Sequence, residues 1–350
     1  VLDVIDAGTT MRFLTAFYGV QKGVNKTITG TERMCERPIG LLVEALKQIG
    51  SEITYLKTDG YPPLQIKGLQ EQKADRISIR GDVSSQFISA LLMVAPTLPK
   101  GLTLELTGEI GSRPYIMMTL QMMADFGIKY SFDGNIISVA PQPYKSTSFW
   151  VESDWSGASY WFSVAALAQR AELELVGLKR NSLQGDAAIV GIMEKLGVFT
   201  TFLNNSIVIK KDLTFRPEPR VEIDFTDCPD IAQTVAVICA AKGVELVMTG
   251  VESLKIKETD RLYAIKTELG KFGSSVEELG SQRYLLKNPA DVFVIHKKTS
   301  IATYKDHRMA MAFAPLGLMG DIFIEEPDVV VKSYPSYWDD LKVAGFTIKG

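Results

Sequence analysis

Two charged segments of this chain could do chemistry. Residues 257–261 (KETDR) and 306–308 (DHR) each stand directly before apolar residues at helical spacing, which predicts that the charges of each segment occupy the first turn of a helix. Lysine and arginine oppose the helix dipole at that end, so their presence needs a reason other than helix stability. Binding an anion is one such reason. For one segment alone, a solvated and self-paired charge run is the favoured interpretation.

Other predicted buried helices also begin with polar residues that their apolar bodies do not need. These are Gly8 and Thr9, Ser84 to Gln86, and Asp230. Free backbone N–H groups and arginine side chains at helix starts suit phosphate and carboxylate groups, and Asp230 and Glu258 could transfer protons. The alternatives are ordinary N-caps at the serines and Asp230, a tight turn at Gly8 and a packed histidine at His307.

The elements that must position these residues repeat along the chain. An apolar helix, a glycine and a short β-branched run recur at Gly50, Gly127, Gly197 and Gly273, which predicts alternating helices and strands and an α/β fold. Helices that are apolar nearly all round are predicted at residues 87–95, 160–168, 231–241 and 309–318. A polar stretch at 141–148 predicts a boundary near residue 150, giving domains 1–150 and 151–350.

Composition excludes several classes of function. A net charge of −3 disfavours nucleic-acid binding, and no apolar run is long enough to cross a membrane. The three cysteines and two histidines form no zinc pattern, so we expect a reduced, cytoplasmic protein without a metal. Because the chain begins at Val1 without a methionine, we expect a segment to be missing in front.

Taken in order, these motifs resemble the enolpyruvyl transferase family, and within it the members that act on shikimate 3-phosphate. The resemblance spans essentially the whole chain. It is carried by segments 7–12 (AGTTMR), 29–40 with ERPIG at its end, 84–87 (SSQF), 180–186 (RNSLQGD), 257–261 (KETDR), 306–311 (DHRMAM) and 332–337.

The resemblance implies a two-domain α/β fold, an inside-out barrel of βαβαββ repeats with buried parallel helices. It also implies a reaction: the enolpyruvyl group of phosphoenolpyruvate passes to the 5-hydroxyl of shikimate 3-phosphate and phosphate is released, in the shikimate pathway to chorismate and aromatic amino acids. That chemistry requires no cofactor. The family mechanism passes through a tetrahedral intermediate, and closure of two domains would exclude water.

The resemblance also implies roles for individual residues. On the shikimate 3-phosphate side it implies Ser84, Ser85, Gln86, Ser112, Tyr115, Asp230, Ser253 and Lys257. On the phosphoenolpyruvate side it implies Gly8, Thr9, Arg33, Gln86, Arg261, Arg308 and Lys332. Asp230 would be the base or orienter for the 5-hydroxyl, Glu258 a proton carrier, and Lys332 a third catalytic residue.

The chain departs from the family pattern at three places. Nothing before Val1 supplies the Lys-Ser pair and the arginine that family members carry there, so the first repeat of the N-terminal domain is expected to be missing and the chain to be a truncated, poorly active form. Asp6 and Ser253 stand where the family has asparagine. Gly8 keeps the residue type that the family associates with inhibition by glyphosate. We expect a monomer.

Two alternatives stay open at this stage. One is the relative that transfers the enolpyruvyl group to UDP-N-acetylglucosamine, which Cys35 does not favour because it lies outside that enzyme's usual catalytic-loop context. The other is a catalytically dead remnant that binds phosphorylated metabolites, which the absent front segment favours and the intact Asp230, Glu258, Arg261 and Arg308 oppose.

Overall fold

The computed structural model describes residues 1–82, 84–111, 113–288, 293–296 and 299–349. The chain divides into two compact units, Val1–Trp150 and Val151–Gly350. The helices of the first unit are α1 (Gly8–Gly19), α2 (Glu32–Cys35), α3 (Gly40–Ile49), α4 (Ser85–Val94) and α5 (Arg113–Asp125). Its strands are β1 (Leu2–Asp3), β2 (Lys26–Thr29), β3 (Ser51–Tyr55), β4 (Leu64–Leu69), β5 (Arg76–Arg80), β6 (Leu102–Thr107), β7 (Ser131–Asp133) and β8 (Ile136–Val139).

The second unit has the same mixture of elements. Its helices are α6 (Trp155–Leu167), α7 (Ile189–Glu194), α8 (Ala232–Ala241), α9 (Arg261–Gly270), α10 (His307–Phe313) and α11 (Tyr337–Val343). Its strands are β9 (Glu172–Val176), β10 (Val198–Phe202), β11 (Ser206–Lys211), β12 (Arg220–Asp224), β13 (Glu245–Thr249), β14 (Ser275–Gly280), β15 (Arg283–Lys287), β16 (Thr299–Ile301) and β17 (Ile322–Ile324).

Three of the sheets repeat one topology, which confirms the predicted βαβαββ repeat. Their strand orders are β1-β2-β4-β3, β5-β6-β8-β7 and β12-β13-β15-β14. In each sheet the first two strands are parallel and the last two form an antiparallel hairpin. The first two strands are joined through a helix, as parallel pairing requires. The remaining sheets are β10-β11-β9, which is antiparallel, and the parallel pair β16-β17.

The repeated topology positions the site. In the second unit, Asp230 follows β12, Lys257 follows β13, Arg308 follows β16 and Lys332 follows β17. Each of these four strands belongs to a parallel pair. Because the carboxyl ends of paired parallel strands share one edge of a sheet, side chains that come just after them gather there. In the first unit, Gly8 follows β1 and the segment 84–86 follows β5 in the same way.

The apolar helices lie inside the units, as predicted. Every residue from Ala232 to Ala240 of α8 is buried, because this helix packs against α6, α9, α10 and β13. The boundaries differ from the predictions in two instructive places. The predicted helix 309–318 is α-helical only to Phe313 and continues as a 3-10 helix, Ala314–Leu318, because Pro315 cannot donate a helical hydrogen bond. The strand predicted directly after Gly127 begins only at Ser131.

The charges of segment 257–261 are not all in a first helical turn. Helix α9 begins at Arg261, and the Asp260 side chain caps it by accepting a hydrogen bond from the backbone N–H of Tyr263. Lys257 and Glu258 therefore precede the helix, and only Arg261 stands at the position where a cation opposes the dipole. Across the described residues, no helix combines the length and the apolar character needed to cross a membrane.

Candidate functional site

Seven charged side chains of the second unit form one connected group, which we call the charged cluster. It consists of Asp230, Lys257, Glu258, Arg261, Asp306, Arg308 and Lys332, linked by ion pairs. Each member lies beyond the carboxyl end of a strand of a parallel pair, and Arg261 additionally begins α9. The cluster therefore assembles from segments up to about a hundred residues apart in sequence.

Arg261 is the centre of the cluster and is almost completely buried. Its Nε donates to Asp306 Oδ2 at 2.7 Å, one terminal nitrogen donates to Asp230 Oδ1 at 2.9 Å, and the other donates to Glu258 Oε2 at 2.8 Å. The Asp306 side chain has no exposed surface. A buried guanidinium with planar, fixed donors can hold three carboxylates in one arrangement, which a lysine could not do. An anion that binds Arg261 must exchange for one of these carboxylates.

Asp230 lies between three cations. Its carboxylate oxygens are 2.9 Å from Arg261, 3.0 Å from Arg308 and 3.4 Å from Lys257. Burial by itself would raise the pKa of Asp230, but Arg308, Lys257 and Arg261 outweigh burial and hold that pKa well below its usual range. Asp230 is therefore an ionised hydrogen-bond acceptor and, in this state, a weak base.

Glu258 connects the buried centre of the cluster to its exposed edge. One oxygen accepts from Arg261, and the other lies 3.5 Å from Nζ of Lys332. Lys332 is the more exposed partner of this pair. A carboxylate that touches both a buried guanidinium and a more exposed ammonium stands where a proton could be exchanged with a substrate.

Two buried titratable side chains flank the cluster. His307 has a pKa lowered to about 4, first by burial and then by the charge of Arg308, so its imidazole is neutral at neutral pH. Asp186 has a pKa raised to about 6, first by burial and then by the charge of Asp230, and it accepts a hydrogen bond from the Ser156 hydroxyl. The cations of the site are therefore arginines and lysines rather than an imidazolium.

The first unit carries a separate group of polar residues at the N-termini of α1 and α4. The side-chain amide of Gln86 donates to the Thr9 hydroxyl at 2.9 Å and its oxygen accepts from Arg12, so the starts of the two helices are tied together. Within the part of the chain that the structure describes, no side chain caps α1 or α4. In α4 the N–H of Phe87 donates to the Ser84 carbonyl at 2.9 Å, and the N–H groups that precede it in the first turn suit an anion.

Two guanidinium groups flank Gly8. A Cβ built on Gly8 would lie 2.8 Å from a terminal nitrogen of Arg37 and 2.9 Å from a terminal nitrogen of Arg12. Only a residue without a side chain leaves both cations this close to the backbone at the start of α1. The polar group at the starts of α1 and α4 has hydrogen-bond donors of three kinds: two guanidiniums, backbone N–H groups, and the hydroxyls of Thr9, Ser84 and Ser85. Such a set of donors suits a phosphate or a carboxylate.

The structure does not bring every predicted site residue into these two groups. Arg33 pairs with Glu36 at 3.0 Å, and both side chains are more than half exposed. Ser253 is exposed in the 3-10 helix Glu252–Ile256. Tyr115 lies partly buried in the first turn of α5, and Ser112 falls outside the described residues.

Sequence reasoning gave no role to four residues that the structure places at or beside the site. These are Arg12, Arg37, Asp186 and Asp306. All four lie within the quoted motifs, in AGTTMR, ERPIG, RNSLQGD and DHR respectively. The signal that could have identified these four residues was therefore their position within a family motif. Among the described residues, no three acidic, histidine or cysteine side chains converge as metal ligands would.

Comparison with known proteins decides which family this geometry represents. The sequence model of the EPSP synthase family, 3-phosphoshikimate 1-carboxyvinyltransferase, matches residues 1–341. The chain belongs to the EPSP synthase family. A 3-phosphoshikimate 1-carboxyvinyltransferase of Bacteroides fragilis is 50% identical over 360 residues, covering 100% of this chain and 84% of the relative. One of Methanospirillum hungatei is 36% identical over 351 residues, covering 97% and 78%.

Solved structures of EPSP synthases share the fold. An EPSP synthase from Acinetobacter baumannii aligns with a TM-score of 0.80 over 99% of this chain and 79% of that one, at 22% identity. The family and the fold implied by the motifs are thereby confirmed. The expectation of a truncated, poorly active form is not borne out by these matches.

Proposed function

We propose that this EPSP synthase family member transfers the enolpyruvyl group of phosphoenolpyruvate to the 5-hydroxyl of shikimate 3-phosphate. The hydroxyl oxygen adds to C2 of phosphoenolpyruvate and releases its proton, while the methylene carbon gains a proton. The tetrahedral intermediate then loses phosphate from C2 and a proton from the methyl carbon, which leaves the enol ether. The observation that carries the proposal is the charged cluster, in which three carboxylates and four cations meet in a chain of this family.

Asp230 is proposed to orient the 5-hydroxyl rather than to remove its proton in the ground state. Three cations hold its pKa low, so the carboxylate is ionised and accepts a hydrogen bond at every physiological pH. A hydroxyl that donates to Asp230 would be aligned for attack, which lowers the barrier by fixing the reacting geometry.

Glu258 is proposed as the proton carrier to and from the methyl carbon, with Lys332 beside it. The 3.5 Å separation between Glu258 and Lys332 lets a protonated lysine resupply the carboxylate. Lys257 is proposed to bind shikimate 3-phosphate. Arg261 and Arg308 are proposed to bind phosphoenolpyruvate, whose anionic groups would replace carboxylate partners of these arginines.

The first unit is proposed to supply the remaining contacts. Ser84, Ser85 and Gln86, together with Ser112 and Tyr115, are assigned to shikimate 3-phosphate. Gly8 and Thr9 are assigned to phosphoenolpyruvate, and the geometry adds Arg12 and Arg37 to them. Ser253 and Arg33 keep the roles predicted from sequence, although both are exposed in this structure.

Three further properties are proposed from the family resemblance. Glyphosate should inhibit, because its carboxylate and phosphonate resemble the two anionic groups of phosphoenolpyruvate and Gly8 leaves Arg12 and Arg37 unobstructed. The protein should be a monomer. It should act in the cytoplasm, which agrees with the free thiols of Cys35, Cys228 and Cys239.

The proposal is tested by Asp230→Asn and Glu258→Gln in a phosphate-release assay with both substrates. Each variant keeps the shape of the side chain and removes the charge, so we expect turnover to fall by about 10²–10⁴. Glu277→Gln is a matched control, because Glu277 forms an exposed ion pair with Lys287 in the same unit. Wild-type turnover in either cluster variant would contradict the role given to that residue, and a wild type that releases no phosphate would contradict the reaction.

A further inference from the structure

The segment between β16 and α10 is hydrogen-bonded to side chains of α9 at two places. At one end, Glu268 accepts from the backbone N–H of Ala302 at 3.1 Å and from the Tyr304 hydroxyl at 2.8 Å. At the other end, Asp306 accepts from Arg261 at 2.7 Å. Arg261 and Glu268 are seven residues apart, so they lie on one face of α9, about 10 Å apart along the helix axis. The segment therefore runs alongside α9 between two charged anchors.

The backbone between these anchors is in a conformation that other residue types rarely adopt. Tyr304 has φ 54° and Lys305 has φ 57°, so two successive non-glycine residues are left-handed. Such residues persist only where the surroundings hold them. Directly after them, Asp306 meets Arg261, and Arg308 meets Asp230 at 3.0 Å. The direction of both side chains depends on this turn.

The Glu268 anchor is buried and its hydrogen bonds are well defined. Only 1% of Glu268 is exposed, so its carboxylate depends on the donors that surround it. The pKa of Tyr304 is raised to about 12, first by burial and then by its bond to Glu268, which keeps the hydroxyl protonated as the donor. The Tyr304 ring also packs edge-on against Tyr263 of α9, with 6.4 Å between the ring centroids.

We propose that Tyr304 is a positioning residue for the charged cluster: by donating its hydroxyl to Glu268, it holds the turn that sets Asp306 against Arg261 and Arg308 against Asp230. The effect on turnover rests on the proposed function, whereas the effect on the Arg261–Asp306 contact does not.

The decisive variant is Tyr304→Phe, which removes one oxygen and keeps the ring against Tyr263. Its matched control is Tyr284→Phe, because the Tyr284 hydroxyl donates to Glu252 at 2.7 Å in the same unit but outside the cluster. We expect turnover to fall at least tenfold in Tyr304→Phe and to stay within twofold of wild type in Tyr284→Phe. Adding Lys305→Gly to Tyr304→Phe should restore most of the lost turnover, since glycine adopts a positive φ without strain.

A second measurement follows the anchored contact directly. In protein labelled with ¹⁵N-arginine, the Nε–H of Arg261 should exchange slowly with solvent because it is buried against Asp306. We expect at least tenfold faster exchange in Tyr304→Phe and the wild-type rate in Tyr284→Phe. Exchange in Tyr304→Phe as slow as in the control would overturn the proposal, whatever the turnover. A wild type without turnover would overturn the proposed reaction and leave the exchange rates to decide the positioning role.

Discussion

Replacing the buried Arg261 by methionine should destabilise the second unit by about 3–5 kcal/mol, because this is the cost of breaking a buried ion pair and leaving one charge uncompensated. Methionine fills most of the space of the arginine stem, so little of the effect should come from packing. The charge left behind is mainly that of Asp306, whose side chain has no exposed surface. Asp230 and Glu258 are 23% and 20% exposed and can be partly solvated.

The prediction becomes sharp when the partner charge is also removed. Asp306→Asn keeps the helix cap of α10, because asparagine caps as well as aspartate. In the Arg261→Met background it removes the uncompensated charge, so the double variant should be more stable than the sum of the two single effects by about 1–3 kcal/mol. Additive effects, within about 0.5 kcal/mol, would refute the reasoning that charge compensation between Arg261 and Asp306 dominates.

Urea unfolding followed by tryptophan fluorescence is a suitable assay. Three of the four tryptophans, Trp155, Trp161 and Trp338, belong to the second unit, and Trp155 is fully buried. The matched control is Arg220→Met, which breaks the pair between Arg220 and Glu245, where the arginine side chain is 57% exposed. That variant should lose no more than about 1 kcal/mol, since exposed pairs contribute little.

Two further predictions concern Gly8 and His307. Gly8→Ala should displace the Arg12 and Arg37 guanidiniums, and so raise the KM for phosphoenolpyruvate by about 10-fold or more with no loss of melting temperature. The control is Gly191→Ala, because a Cβ at Gly191 meets no atom within 4 Å. An unchanged KM in Gly8→Ala would contradict the assignment of Gly8 to phosphoenolpyruvate. His307 is buried with a pKa near 4, against about 6.5 in the unfolded chain, so the unfolded state takes up a proton first as pH falls below about 6.5. Between pH 7 and pH 5 the wild type should therefore lose about 2 kcal/mol more than His307→Gln in the same urea assay, and equal losses would contradict a buried neutral imidazole.

The sequence allowed the fold class to be predicted because its signals are local. A glycine after an apolar helix reports a left-handed C-cap, and helices that are apolar all round, such as α8, must be buried on every side. Boundaries were less accurate where tertiary context decides them. The prediction that Lys257 and Glu258 lie in a helical turn was wrong because Asp260 caps the helix three residues later than Lys257.

The surroundings of individual side chains could not be predicted from spacing. Within the 29–40 motif, Arg33 and Arg37 are equally plausible anion ligands, yet the structure exposes one beside Glu36 and sets the other against Gly8. Both follow β2, and only the course of the chain after α2 separates them. Similarly, nothing in the DHR motif reveals that Asp306 faces a buried guanidinium whereas Arg308 faces Asp230.

The balance of charges in the cluster explains why it can be preorganised without substrate. Four cations, Lys257, Arg261, Arg308 and Lys332, are offset by the three carboxylates Asp230, Glu258 and Asp306. Without these carboxylates, mutual repulsion would drive the cations apart and an incoming anion would have to gather them. Asp306 is too deeply buried to leave Arg261, whereas Asp230 and Glu258 are partly exposed. Substrate anions can therefore compete for the partners of Asp230 and Glu258 while the Arg261–Asp306 pair keeps its geometry. Under this condition the binding free energy orients the substrates, because none of it is needed to bring the cations together.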